Sequence, residues 1–123
     1  MQLALSTSSQ VKQYLERSRT LVLPMGSTEQ HGPIGLIGTD TLCAQSIAQA
    51  LGEARGVLVA PPIALTVAQF NMGFAGTVTV RASTLLALLI DVLHSFADQG
   101  FERIYVLDRK STRLNSSHAN ISY

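Results

Sequence analysis

The sequence predicts an α/β protein, a three-layer α/β/α sandwich around a mostly parallel sheet. Three observations carry that expectation. Short runs rich in Leu and Val alternate with segments of helical period. The runs end at Pro or Gly, and they are apolar at nearly every position, as strands covered on both faces are. Helices separate most of the runs, which points to crossover connections and parallel pairing.

In "SSQVKQYLERS", Val11, Tyr14 and Leu15 keep helical spacing, with Ser8 or Ser9 as the expected N-cap. "TLVLPMG", Thr20 to Gly26, reads as a buried strand. Beyond a glycine-rich loop, Cys43, Ile47 and Leu51 mark one face of a helix, with Ala44 and Ala48 beside it. Thr39 or Asp40 is expected to cap that helix. "GVLVAPP", Gly56 to Pro62, is a second buried strand stopped by a proline pair.

"ALTVAQFNMGFAG" has no clear period and reads as an irregular loop; its Phe70, Met72 and Phe74 either wall a pocket, the favoured reading, or simply pack. "GTVTVR", Gly76 to Arg81, alternates like a half-buried strand. Ser83 to Gln99 is the strongest helix. Leu86, Ile90, Leu93 and Ala97 are expected to face inward, Asp91, His94 and Asp98 to lie on another face, and Gly100 to end it. "RIYVL", Arg103 to Leu107, is the last strand. The predicted order is α-β-α-β-β-α-β, with the fold truncated after the fourth strand.

Composition narrows the function classes. Of 123 residues, 46% are hydrophobic and 14% charged, so a packed core is expected rather than disorder. The net charge is +1 and no basic run is interleaved with aromatics, which argues against a nucleic-acid partner. The longest apolar stretch, "TLLALLIDVLHSFA", is broken by Asp91 and His94 and is too short for a bilayer, so no membrane association is expected. The N-terminus lacks a charged region followed by an apolar core, unlike a secretory signal. The single cysteine, Cys43, excludes an internal disulfide and fits a reducing, cytoplasmic setting. On the apolar face of its helix it reads as a buried structural thiol rather than a nucleophile.

After Leu107 the chain changes to "DRKSTRLNSSHANISY", polar and without period. It can be back-translated into the constant part of a common sequencing-library adapter. Residues 1–107 are therefore read as the N-terminal part of the native domain, and residues 108–123 as a non-native tail.

The chemistry concentrates in "MGSTEQHGPIGLIGTD", Met25 to Asp40. Glu29 and His31 stand two apart, so on extended backbone both side chains leave on one side. Gly32, Gly35 and Gly38, with Pro33, let the segment fold back and return Asp40 toward the pair. Two carboxylates and an imidazole suit Zn²⁺ or Mn²⁺, and equally a Glu/His acid–base pair. The loop leaves the carboxyl end of a strand, where ligands bind in open α/β sheets. A phosphate- or nucleotide-binding module is the alternative. However, G-x-x-G-x-x-G is neither the dinucleotide fingerprint nor a P-loop, and Asp40 at a helix start opposes an anion.

"LPMGSTEQHGPIGLIGTDT", followed by "VLVAPPIALTVAQFNMGFAGTVTVRASTLLALLIDVLHSFADQGFERIYVL", resembles the creatininase (creatinine amidohydrolase) family over essentially all of residues 10–107. The resemblance implies a three-layer fold, a homo-oligomer (often a hexamer), and a two-metal site hydrolysing C–N bonds of a small-molecule amide, a formamide or a peptide. It implies Glu29 as a ligand of one metal, His31 as a ligand of the other, and Asp40 as the carboxylate bridging them. The metals expected are zinc or manganese. Family members continue past the last strand into a loop like Asn-Gly-His-Gly-Gly-Asn, whose His is a ligand, and a later acidic residue completes the site. This chain carries neither, so by itself it is expected to be inactive. Many members also have His where Ile34 stands and near the position of Asn71.

Overall fold

The computed structural model describes residues 1–109; the proposed non-native tail lies, from residue 110 onward, outside the described residues. Three α-helices and three β-strands follow in order: α1 (Ser8–Arg17), β1 (Thr20–Gly26), α2 (Thr39–Arg55), β2 (Leu58–Val59), α3 (Ala82–Gln99) and β3 (Arg103–Arg109). The strands form one parallel sheet in the order β2-β1-β3. Asp108 and Arg109 continue β3, opposite Met25 and Gly26 of β1. No helix among the described residues is long and apolar enough to cross a membrane.

Side-chain alternation along β1 separates two cores. Leu21 and Leu23 point to one face, where they meet Leu58, Ile104, Tyr14 and Phe101 beneath α1 and α3. Val22 points to the other, packing with Val59 and with Ala48 of α2. The three layers expected from the sequence are therefore present, with α1 and α3 on one side and α2 on the other. Leu21 and Leu58 are fully buried, and each such side chain contributes about 1.5–3 kcal/mol relative to exposure.

Tyr14 locks α1 onto the sheet. Its hydroxyl donates to the Thr20 carbonyl at 2.6 Å and accepts from the Leu58 N–H at 3.1 Å. The N-cap of α1 is Thr7, not Ser8 or Ser9. Thr7 Oγ1 accepts from the Gln10 N–H while Gln10 Oε1 accepts from the Thr7 N–H, so both orphan donors are satisfied reciprocally.

Other expectations are corrected by packing. α2 starts from Gly38, with neither Thr39 nor Asp40 capping it. Its buried stripe is Ala44, Ala48 and Gly52, whereas Ile47 and Leu51 are exposed, because small residues let the helix lie close to the sheet. On α3 the residues packed on the core are Leu89, Val92, Leu93 and Phe96. Leu86, Ile90 and Ala97 are exposed. An edge-on contact between Phe96 and Phe101, 5.6 Å between ring centres, sets that rotation. Gly100 ends the helix in the left-handed region at φ 109°, as expected.

The second predicted strand contracts to Leu58–Val59, although the Ala60 and Ile63 N–H groups still donate to β1 carbonyls at Val22 and Pro24. Pro61 and Pro62 interrupt the ladder between them. Gly76 to Arg81 forms no strand, so the described sheet has three strands rather than four. Val78 makes one isolated antiparallel bridge to Thr28. The hydroxyls of Thr77 and Thr79 accept from the N–H groups of Gln30 and Ala68 instead, stitching two loops together.

Candidate metal centre

The candidate site sits at the carboxyl end of the central strand. β1 ends at Gly26, packed against the first turn of α2, where a Cβ would lie 2.5 Å from Thr41 N and 2.7 Å from the Asp40 carbonyl carbon. Only glycine permits that approach. The loop between β1 and α2 is closed at its base by the Glu29 N–H, which donates to Ile37 O at 3.1 Å. At its far side Gly35 presses on the His31 backbone, where a Cβ would overlap the His31 carbonyl oxygen.

This folding back brings His31 and Asp40 together, as the glycine spacing anticipates. Nε2 of His31 lies 3.3 Å from Oδ1 of Asp40, and Asp40 is 1% exposed. The other Asp40 oxygen, Oδ2, accepts from the fully buried Ser27 hydroxyl at 2.7 Å. Thr41 adds a hydroxyl bond to Ser27 O at 3.2 Å. A carboxylate in the first turn of a helix is also favoured by the helix dipole.

The tautomer of His31 follows from its second nitrogen. Nδ1 is 2.9 Å from the Glu29 carbonyl oxygen, which can only accept, so Nδ1 carries the hydrogen. Neutral His31 then turns an Nε2 lone pair toward a carboxylate oxygen, an arrangement that calls for a cation between them. A proton serves in part. The His31 pKa is raised, first by the bond to the Glu29 carbonyl and then by the negative charges of Asp40 and Glu29, against an opposing effect of burial.

A metal ion fits the same gap. Bonds of about 2.0–2.1 Å to a tetrahedral ion put neighbouring ligand atoms about 3.3 Å apart, whereas a charge-assisted N–H···O bond closes to about 2.7–2.9 Å. The observed 3.3 Å matches the ligand edge. Orientation of a ligating imidazole by a carbonyl at its other nitrogen is likewise the usual second support of a metal-bound His.

Glu29 is brought to the site but turned to a different partner. It is 3% exposed, and its Oε1 accepts from Asn71 Nδ2 at 2.9 Å. Asn71 Oδ1 in turn accepts from Gln30 Nε2 at 2.9 Å, and Gln30 Oε1 from the Gly32 N–H at 2.8 Å. Among the described residues, no three His, Cys, Asp or Glu side chains are gathered closely enough to hold an ion. Two of the three expected ligands are thus paired, and the third stands in an adjoining network.

Ser27 and Asn71 were not singled out as site residues by sequence reasoning. Ser27 belongs to the quoted loop, directly after β1, which was a usable signal. Asn71 arrives from a short 3₁₀ turn, Gln69–Asn71, and no spacing rule connects it with Glu29. The neighbouring Phe70, Met72 and Phe74 are exposed rather than walls of an enclosed pocket. Cys43 is half-buried and His94 exposed. The phosphate alternative gains nothing: the start of α2 is filled by the buried Asp40 carboxylate.

The family model described as creatinine amidohydrolase matches residues 4–111. The chain is 30% identical over 103 residues to a 3-dehydro-scyllo-inosose hydrolase of Thermotoga maritima, covering 83% of this chain and 33% of that protein. It is 35% identical over 105 residues to a mycofactocin precursor peptide peptidase of Mycobacterium ulcerans, covering 78% and 41%. A solved structure of a manganese creatininase superposes with a TM-score of 0.80 at 23% identity, covering 85% of this chain and 43% of that one. The chain thus spans well under half the length of these relatives. With the family model matching from before α1 to beyond β3, and the fold shared, the chain belongs to the creatininase family.

Proposed function

We propose that this chain supplies part of the active site of a metal-dependent amidohydrolase, an enzyme that hydrolyses the C–N bond of a cyclic amide, a formamide or a peptide. The single observation that carries the reading is the 3.3 Å approach of His31 Nε2 to Asp40 Oδ1, a separation of ligand-edge length. Family membership and the hydrolase and peptidase names of the relatives support it.

Glu29, His31 and Asp40 would contribute to holding two divalent ions, zinc or manganese. Such ions supply a nucleophile from water at neutral pH and polarise the scissile carbonyl. The protein's own part is electrostatic. Asp40, tied by Ser27, and Glu29, tied by Asn71, are carboxylates whose orientation is fixed before any ion arrives. His31 is held in one tautomer by the Glu29 carbonyl. None of the three is assigned a proton-transfer step. We further place the protein in the cytoplasm as a homo-oligomer, hexameric by family resemblance, acting on a small-molecule amide.

Metal analysis tests this reading. After equilibration with Zn²⁺ or Mn²⁺ and removal of free ion, the chain is expected to retain metal and Asp40→Ala to lose it. Equal retention by Asp40→Ala would remove the ligand assignment.

A further inference from the structure

Resting on that reading, we propose that Asn71 is a positioning residue for Glu29: its amide holds Oε1 and so presents Oε2 to the metal. The orientation of the Asn71 amide is fixed by chemistry. A carboxylate only accepts, so the group 2.9 Å from Glu29 Oε1 is the NH₂. Oδ1 is then free to accept from Gln30 Nε2, which in turn obliges Gln30 Oε1 to accept from the Gly32 N–H. Every bond in this relay donates in one direction, from the Gly32 backbone toward the Glu29 carboxylate. The relay brings no charge of its own.

Docking of the two loops does not depend on Asn71. The Val78 N–H donates to Thr28 O at 3.0 Å, the Gln30 N–H to Thr77 Oγ1 at 3.1 Å, and Thr28 Oγ1 to Ala64 O at 2.8 Å. These bonds already tie residues 64–80 to the site loop. Among the described residues, the side-chain hydrogen bonds of Asn71 go to Glu29 and Gln30. Its position is therefore that of an outer support for a metal ligand, a role whose loss lowers metal affinity more than stability.

The test uses the full 123-residue chain. Zn²⁺ affinity is measured by competition with a chromogenic chelator, and unfolding midpoints are measured in EDTA and in Zn²⁺. Asn71→Leu keeps the bulk and removes the amide. It is expected to weaken Zn²⁺ binding about 10–100-fold and to shrink the Zn²⁺-induced rise in midpoint. Gln30→Leu, which removes the next member of the relay, is expected to weaken binding by a smaller factor and carries the test if Asn71→Leu does not fold. Affinity within twofold of the unaltered chain in the folded variants would overturn the positioning role and leave the metal reading standing. Failure of the unaltered chain to bind Zn²⁺ would overturn both.

Discussion

Gly26 and Thr41 touch backbone to backbone, with no room for a single added carbon at Gly26. That contact sets the distance between the end of β1 and the turn carrying Asp40. Gly26→Ala must push α2 away or distort β1, an overpacking that costs about 1–3 kcal/mol. A lower urea midpoint at unchanged slope is expected, together with weakened Zn²⁺ binding. An alanine variant with both properties intact would show that the contact positions nothing.

Ser27 is the hidden support of Asp40. Removing its hydroxyl leaves Oδ2 of a buried carboxylate without its 2.7 Å donor. Hydrogen bonds to charged groups contribute about 1.5–3 kcal/mol. Ser27→Ala is expected to lose stability of that order in EDTA, read by urea unfolding. Zn²⁺ should restore part of it, since a bound cation takes over the charge.

The pH dependence of the metal-free chain follows from His31. Its pKa is raised above the ordinary 6.5, so protonated His31 stabilises the fold fully below that value. The contribution is lost as pH rises through the higher folded pKa. The EDTA urea midpoint of the unaltered chain should therefore fall, relative to His31→Gln, as pH rises above about 6.5. Zn²⁺ affinity should rise over the same interval, because the metal must displace the Nε2 proton. A midpoint that climbs with pH relative to His31→Gln contradicts the assignment.

Tyr14 offers a control remote from the site. Tyr14→Phe keeps the ring against Phe101 but removes the hydroxyl that serves Thr20 O and the Leu58 N–H. Buried groups left without a partner cost about 1–3 kcal/mol. Urea unfolding should register that loss while Zn²⁺ affinity of the folded protein stays unchanged.

The layers and the central strand were legible because β1 satisfies several local rules at once. Leu21, Val22 and Leu23 are apolar on both faces, and Gly26 ends the strand. Helix rotation was less legible. From Leu85 to Ile90 nearly every position of α3 is apolar, so period alone cannot choose a face. Phe96 and Phe101 choose it through a contact formed only in three dimensions. "GTVTVR" carries strand propensity, yet its threonine hydroxyls bond loop backbone, and propensity yields to that tertiary demand. In the site, the glycines foretold the return of Asp40 to His31. The link from Asn71 to Glu29 spans two loops and leaves no local trace.

The register of the sheet also orders events in time. β1 lies in the middle, and its Thr20 is paired with Arg103 near the far end of the described chain. Contacts so remote in sequence form late and slowly, since the intervening segment must first be looped out. During synthesis the strand that bears the site loop therefore waits, half-paired, until β3 emerges. The groups that would grip an ion thus stand on a strand whose pairing is completed from more than eighty residues away.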